Sequence, residues 1–241
     1  MTGARRAALV TGGSRGIGRA IACRLAEEGF DLTLSARGTD ALGEAAEECA
    51  KHGVRVETVA ADMAAEDDVR RVADAHHAAY GRLDMLVLSA GVGSAASLGA
   101  YPSHRFDKQF AVNIRAPFLL IDACMDLLRQ TAPARIVAIS SITGQAPEPG
   151  LAAYGASKAA LTALCEAVNT EASADGVAAT AICPGYVDTD MSAWNHGRVP
   201  PTEMIASGDI AELVVALTRL SPRAVVPWVP VVRSGAELWR A

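Results

Sequence analysis

Thr11-Gly-Gly-Ser-Arg-Gly-Ile-Gly18 follows four apolar residues, Ala7-Ala-Leu-Val10, in this 241-residue chain. The apolar run is typical of a short buried strand, and residues 19–28 have the apolar spacing of a helix that Gly29 ends. A strand, a glycine-rich turn and a helix form the first unit of a dinucleotide-binding βαβ fold. The glycines permit a tight turn, and the N–H groups at the helix start suit a pyrophosphate. The segment therefore predicts a nucleotide site.

Strands and helices alternate along the rest of the sequence. The predicted strands are 7–10, 31–35, 54–60, 84–89, 135–139, 177–182 and 224–232, and the helices after the first are 41–51, 66–79, 106–129, 154–173 and 209–220. Such alternation predicts an α/β fold: a single doubly wound Rossmann-type domain over residues 1–241, with a seven-stranded parallel sheet flanked by helices. Pro227 and Pro230 would interrupt a central strand, so the seventh strand is expected at a sheet edge.

Tyr154 and Lys158 lie four residues apart in Tyr154-Gly-Ala-Ser-Lys158. On a helix this spacing places a phenol and an ammonium on one face, one turn apart. A fixed cation favours the phenolate, so Lys158 is expected to lower the pKa of Tyr154 toward the range of general acid–base catalysis. The spacing alone is a modest signal, and the glycine turn gives it weight.

Together these motifs resemble the short-chain dehydrogenase/reductase family, in particular its 3-oxoacyl-carrier-protein-reductase-like branch. The resemblance runs from about residue 7 to about residue 191 and implies a catalytic set of Asn113, Ser141, Tyr154 and Lys158. It implies that Ser141 hydrogen-bonds the reacting oxygen and that Lys158 also holds the nicotinamide ribose. It further implies that Asn113 supports a water relay behind Lys158.

The resemblance also implies a nicotinamide dinucleotide site built from several loops. Its predicted members, besides Tyr154 and Lys158, are Gly12, Ser14, Arg15, Gly16, Ile17, Gly18, Arg37, Asp62, Met63, Ala90, Gly91, Pro184, Gly185, Val187 and Thr189. Leu88-Ser89-Ala90-Gly91 departs from the family's Asn-Asn-Ala-Gly. We expect the loss of those amides to affect stability or cofactor affinity before chemistry.

The end of the second strand predicts the choice of cofactor. NAD-binding folds of this type carry an acidic residue there, about 20 residues beyond the glycine turn. Ser35-Ala36 takes its place here, and Asp31 lies at the far end of the strand. Arg37 and Arg15 are placed to meet a 2′-phosphate, which an arginine fork binds well. The sequence therefore predicts NADP (NADPH), with NAD still possible.

The expected activity is NADP-dependent interconversion of a carbonyl compound, ketone or aldehyde, with an alcohol. One alternative is an NAD-linked secondary-alcohol dehydrogenase. A second, a non-catalytic dinucleotide-binding redox sensor, would be marked by loss of Tyr154 or Lys158, and both are present. Epimerases and dehydratases of sugar nucleotides usually carry a different glycine spacing and a longer C-terminal domain.

Three loops at the carboxyl ends of strands, residues 90–100, 141–150 and 184–207, are expected to contact the substrate. The last includes a predicted lid over about 186–207, whose Met191 and Trp194 favour a compact apolar substrate. His196 is interpreted as a surface or substrate-edge contact. His76 and His77 are expected to be solvated on a polar helix.

Composition excludes several other classes. A net charge of −5 and a pI near 5.6 give no reason to expect nucleic acid or an anionic membrane as partner. No apolar run approaches the ~18 residues of a membrane span, and we expect no signal peptide. Five cysteines without a C-x-x-C pair favour reduced thiols and a cytoplasmic protein, and no metal ligand set is visible.

Assembly is predicted from two helices. Residues 106–129 and 154–173 carry more apolar and small residues than one buried face requires. In the family resembled, these helices form a dimer interface. The expectation is a homodimer or homotetramer whose other partner is a small-molecule carbonyl or alcohol substrate.

Overall fold

Seven parallel strands form one sheet in the computed structural model, which describes residues 5–235. The strands are β1 (Ala7–Thr11), β2 (Asp31–Ala36), β3 (Val56–Ala60), β4 (Met85–Leu88), β5 (Ala134–Ile139), β6 (Val177–Pro184) and β7 (Trp228–Val231). Their order across the sheet is β3-β2-β1-β4-β5-β6-β7. The predicted doubly wound fold is confirmed. The predicted domain limits, 1 and 241, lie outside the described residues.

Seven α-helices connect the strands and cover both faces of the sheet. They are α1 (Gly16–Glu27), α2 (Thr39–Ala50), α3 (Glu66–Tyr80), α4 (Ser103–Phe110), α5 (Ala116–Thr131), α6 (Ala152–Ala172) and α7 (Ser207–Thr218). Within the described residues, no helix is both long enough and apolar enough to cross a membrane.

Each face of the sheet has its own apolar core because successive strand residues point to opposite sides. Leu9 and Leu86 pack with residues of α3, α5 and α6 on one face. Val10 and Val87 pack with residues of α1, α2 and α7 on the other. β1, β4, β5 and β6 lie inside the sheet and are buried almost throughout, which explains their nearly continuous apolar sequences.

The seventh strand lies at one edge of the sheet, as the prolines predicted. β7 pairs with β6 alone, and Pro230 lies opposite Cys183 in that pair. Proline lacks an N–H, so an edge position costs the fewest ladder hydrogen bonds.

The prediction of one continuous helix over residues 106–129 is wrong in the middle of that range. The structure places a π-helical turn, Ala111–Arg115, between α4 and α5. In a regular α-helix the carbonyl of Asn113 would accept a bond from residue 117, which is Pro117 and has no N–H. The interruption therefore has a cause in the sequence, and such turns are frequent at functional sites.

The expectation that His76 is solvated is also wrong. His76 is fully buried, with Nδ1 2.8 Å from Thr33 Oγ1 and Nε2 2.9 Å from the carbonyl oxygen of Arg82. Burial lowers the pKa of His76 to about 4. The residue continues the buried stripe of α3, one turn after Val72 and Ala73, whereas His77 is exposed.

Candidate active site

A cavity of about 910 Å³ opens at the carboxyl ends of the strands, where ligands bind in sheets of this type. Every cofactor-binding residue predicted from the sequence lines it. Three of the four predicted catalytic residues, Ser141, Tyr154 and Lys158, line it as well. Its volume lies within the range of small-molecule and cofactor sites.

The glycine turn brings the end of β1 against the loop after β4. Gly12 has φ +68°, and a Cβ there would lie 2.9 Å from the Cα of Ala90. Only glycine fits this backbone and this approach. α1 then begins at Gly16, so its first N–H groups have no partner within the helix. This helix start lines the cavity and provides the donors that a pyrophosphate needs.

Thr11, which sequence analysis missed, holds the loop after β4. Its Oγ1 accepts hydrogen bonds at 3.2 Å from the backbone N–H groups of Ser89 and Ala90. It also lies 3.3 Å from the carbonyl of Val87, to which it donates. These bonds fix the segment where the family has its two asparagines. Thr11 is buried and stands directly before the first glycine of the turn, and this position is the feature that could have indicated its role.

The end of β2 carries a cation beside the cavity. Arg37 is exposed, lines the cavity and forms no ion pair with any residue between 5 and 235. Arg15, in the glycine turn, forms an ion pair with Asp190, with 2.9 Å between Nη1 and Oδ2. Asp31 is buried at the far end of β2 and pairs with Arg55. No carboxylate of β2 therefore occupies the position expected for ribose recognition.

Asp62 and Met63 follow β3 and form another part of the cavity wall. Asp62 Oδ1 accepts a 3.0 Å hydrogen bond from the N–H of Ala64, whereas Met63 is buried. This bond orients the Asp62 side chain within its own turn, a geometry common for aspartate in loops.

Tyr154 and Lys158 lie on the first turns of α6, as predicted. Lys158 is buried, and its Nζ donates a 2.8 Å hydrogen bond to the carbonyl oxygen of Ile139. Nζ lies 5.7 Å from the centre of the Tyr154 ring. The strand end at Ile139 therefore holds the ammonium group beside the phenol.

The expected lowering of the Tyr154 pKa is wrong for this structure. Burial raises the pKa of Tyr154 to about 12, although its hydrogen bond with the Ser141 hydroxyl acts in the opposite direction. Burial also lowers the pKa of Lys158 to about 8. For both groups the largest cause of the shift is burial, which disfavours the charged form. A phenol with a pKa of about 12 is protonated at neutral pH.

Ser141 lies two residues after β5, directly before the turn Ile142–Gly144, which holds it. Its Oγ accepts hydrogen bonds from Thr143, at 2.9 Å from Oγ1 and 3.2 Å from the backbone N. A Cβ at Gly144 would lie 2.8 Å from the backbone N of Ala159, so this turn packs directly on α6. The neighbouring Ser140 instead donates a 2.8 Å bond to the carbonyl of Lys158. Ser140 and the close approach at Gly144 thus hold the end of β5 against α6.

Asn113 is fully buried and does not line the cavity. Its Oδ1 accepts a 2.9 Å hydrogen bond from the N–H of Val92, and its Nδ2 donates at 2.9 Å to the Val92 carbonyl. Nδ2 also donates at 3.0 Å to Ser157 Oγ, which in turn donates to the carbonyl of Tyr154. The side chain therefore connects the loop after β4 with α6, the helix that carries Tyr154 and Lys158.

The lid, residues 186–207, is a loop whose two ends pair with each other. Val187 and Ile205 form a parallel bridge, and Ser192 Oγ donates to the carbonyl of Thr189 at 2.9 Å. Met191 and Trp194 are 49% and 61% exposed and line the cavity together with Tyr186 and His196. Met191 and Trp194 thus form an apolar rim at the cavity, in a loop that the sequence predicted to contact the substrate. Lys108 on α4, which sequence analysis missed, also reaches the cavity.

A model of the short chain dehydrogenase family matches residues 6–197, most of the chain. The chain belongs to this family. The 3-oxoacyl-[acyl-carrier-protein] reductase of Staphylococcus aureus is 34% identical over 189 residues, which cover 78% of this chain and 76% of that protein. The predicted resemblance, including its branch, is confirmed.

Solved structures of other family members match the fold closely. An alcohol dehydrogenase from the archaeon Thermococcus sibiricus, complexed with 5-hydroxy-NADP, superposes with a TM-score of 0.88 at 28% identity and covers 95% of this chain and 97% of its own. A short-chain dehydrogenase from Burkholderia cenocepacia in complex with NADP gives 0.86 at 30% identity and covers 94% and 95%. These neighbours bind NADP or a derivative of it.

The described residues contain no cluster of three or more histidine, cysteine or acidic side chains placed to hold a metal ion. The polar groups that line the cavity include hydroxyl, amine and guanidinium groups and the helix start at Gly16, together with the carboxylates of Asp62, Asp188 and Asp190. Such a set suits hydrogen bonding and phosphate binding.

Proposed function

We propose that this short-chain dehydrogenase interconverts a ketone or aldehyde with an alcohol, using NADP(H) and with Tyr154 as general acid or base. One observation carries the proposal: a single cavity has Tyr154, Ser141 and Lys158 at one end and Arg15 and Arg37 at the other. The phosphate-binding helix start lies between these ends. One site therefore contains groups that can bind a reacting carbonyl and groups that can bind a dinucleotide phosphate.

NADPH, when bound, supplies the hydride. Tyr154, kept protonated by burial, donates its proton to the carbonyl oxygen as negative charge develops there. Ser141, oriented by Thr143, shares that charge by hydrogen bonding. Lys158 stabilises the phenolate that remains and holds the ribose next to the nicotinamide. In the oxidative direction the same groups act in reverse, with Tyr154 accepting the alcohol proton.

Asn113 is proposed to act as a positioning residue. Its bonds to Val92 and Ser157 hold the cavity wall against α6, and Gly91 lies between Asn113 and Lys158. A Cβ at Gly91 would lie 3.4 Å from Lys158 Nζ and 3.5 Å from Asn113 Oδ1. The water relay expected from the family remains a prediction.

The cavity rim favours a compact, largely apolar substrate. Met191 and Trp194 line the cavity and are largely exposed, and the Trp194 ring packs edge-on against Tyr186, so the rim offers an apolar surface. The Staphylococcus aureus relative is named for a 3-oxoacyl substrate, and a ketone on an apolar chain fits this rim. Lys108 also lines the cavity and suits an anionic group at the far end of such a chain.

Assembly into a homodimer or homotetramer is also proposed. Phe106 and Phe118 are 41% and 55% exposed, and a shallow apolar groove between α4 and α5 is lined by Phe110 and Ile114. Covering this surface with a second copy would remove exposed aromatic area from water. We further propose one domain over residues 1–241 and a cytoplasmic location.

A substrate screen tests the proposal. Ketones, aldehydes and secondary alcohols of increasing chain length would be offered with NADPH or NADP and, separately, with NADH or NAD, while reduced cofactor is followed by absorbance. We expect turnover that is faster with the phosphorylated cofactor. Cofactor binding without turnover of any carbonyl or alcohol would favour the non-catalytic redox sensor, and better turnover with NAD would favour the secondary-alcohol dehydrogenase.

A further inference from the structure

Two cysteine side chains meet between the first two helices. Cys23 lies on α1 and Cys49 on α2, and their Sγ atoms are 3.8 Å apart. Cys49 is fully buried, whereas Cys23 is partly exposed. The remaining three cysteines are all buried. The structure therefore contains a contacting dithiol of which one member is open to solvent.

Charged side chains surround this pair and hold the two helices together. Arg19, one turn before Cys23, forms an ion pair with Glu48, with 2.6 Å between Nη2 and Oε2. A hydrogen bond from Cys49 lowers the pKa of Cys23, and this effect exceeds the opposing effects of burial and the nearby Glu48 carboxylate. The same contact and burial raise the pKa of Cys49. Cys23 is thus both the more accessible and the more readily ionised thiol, which favours it as the first to react.

We propose that Cys23 and Cys49 form a peroxide-sensitive dithiol that closes a disulfide between α1 and α2. The Cys23 thiolate attacks one oxygen of hydrogen peroxide; an S–O bond forms, the O–O bond breaks and hydroxide leaves. The Cys49 sulfur then attacks the sulfenic sulfur of Cys23. An S–S bond forms, the S–O bond breaks, and the released hydroxide takes the Cys49 proton and leaves as water. Peroxide gains the two electrons that the thiols lose.

The disulfide would act on the cofactor end of the cavity. A disulfide requires about 2.0 Å between the sulfurs, so the 3.8 Å contact must contract. α1 starts in the glycine turn at Gly16, and α2 starts at Thr39, directly after the cavity residues Arg37 and Gly38. Cys49 lies at the far end of α2, whereas Cys23 lies seven residues after Gly16, so drawing the helices together acts mainly on the α1 start in the glycine turn. The oxidised protein therefore binds NADPH more weakly, by roughly threefold or more, since small misplacements in such sites are costly.

Treatment of the purified protein with hydrogen peroxide tests the proposal. We expect a mass decrease of about 2 Da, one cross-linked peptide pair containing Cys23 and Cys49, and reversal by dithiothreitol. C23S and C49S should lose the cross-link, and C124S, a control at another buried cysteine, should retain it. A fluorescence titration with NADPH would measure the affinity before and after oxidation.

Each result is decisive. Absence of the Cys23–Cys49 cross-link overturns the site, and a cross-link without a change in NADPH affinity overturns its effect on the cofactor end. An equal loss of affinity in peroxide-treated C49S would show that a different oxidation is responsible. The cross-link is read by mass alone, so its failure is distinct from failure of the proposed function.

Discussion

Arg15 and Asp190 are 175 positions apart in the chain, and their side chains form an ion pair between the glycine turn and the lid. Both side chains are largely exposed, at 69% and 75%. Exposed ion pairs are weak, commonly about 0.2–1 kcal/mol, so Arg15 can exchange Asp190 for a phosphate at little cost. Arg37 needs no such exchange, because it forms no ion pair with the described residues.

This arrangement predicts that NADPH is preferred over NADH. Replacing Ala36 by Asp together with Arg37→Ala should shift preference toward NADH, because it supplies a carboxylate for the ribose and removes a phosphate ligand. Comparison of kcat/KM for both cofactors measures the shift. Asp190→Asn, which leaves both arginines in place, is the control and should keep the NADPH preference. Equal or better efficiency with NADH in the unmodified protein would show that the arginines have no such role.

The pH dependence of carbonyl reduction should reflect Lys158. Its pKa of about 8 means that the ammonium loses its charge as pH rises through 8. We expect kcat/KM to be level below pH 8 and to fall about tenfold per unit above it. Lys158→Arg should move the decline to higher pH, whatever its effect on the rate. Lys108→Arg, at the other lysine that lines the cavity, should leave the profile unchanged. A level profile through pH 10 in the wild type would contradict this role.

The buried His76 predicts how stability depends on pH. The folded chain binds its proton near pH 4, whereas the unfolded chain binds it near the ordinary value of 6.5. Stability from this residue is therefore complete above pH 6.5 and is lost as pH falls to 4, by about 3 kcal/mol in total. Urea unfolding from pH 4 to 7 measures the slope.

Two variants isolate that effect. His76→Gln should reduce the slope, because the side chain no longer takes up a proton. His77→Gln, at the exposed neighbour, should leave the slope as it is in the wild type. An unchanged slope in His76→Gln would assign the pH dependence to other groups.

The exposed aromatic residues of α4 and α5 predict self-association. Phe118→Glu should weaken it, because a carboxylate on this surface would be buried in the interface. Light scattering measures the mass. Val225→Glu, at an exposed apolar residue elsewhere, is the control. A wild-type mass of 24.9 kDa, that of one chain, at micromolar concentration would refute the predicted oligomer.

The sequence predicted the parallel sheet and the cavity-lining residues because both follow from local patterns. Strand alternation fixes the topology, and the loops at the strand ends come together without long-range information. The position of His76 was missed because a polar side chain on a buried stripe is recognised only from the bonds that satisfy it. Its partners, Thr33 and Arg82, lie on β2 and in the loop after α3.

The pKa values of Tyr154 and Lys158 could not be predicted from their spacing in the sequence either. Helical geometry places Tyr154 and Lys158 on one face, but burial is set by the surrounding fold, and burial decides both pKa values. Thr11 acts on the site through backbone groups of a distant segment, and Ser157 through the side chain of Asn113, 44 positions away, which no local motif records.

Tyr154→Phe tests the central claim most directly. The variant should bind NADPH with nearly wild-type affinity, because it lacks only one hydroxyl group, while turnover should fall by about 10²–10⁴-fold through loss of the proton donor. Tyr186→Phe, at another tyrosine of the cavity wall, is the matched control and should retain most activity. With a substrate found in the screen, the measurement is kcat for both variants beside the NADPH dissociation constant. Retention of more than about a tenth of wild-type activity by Tyr154→Phe would contradict the assignment of Tyr154 as the proton donor.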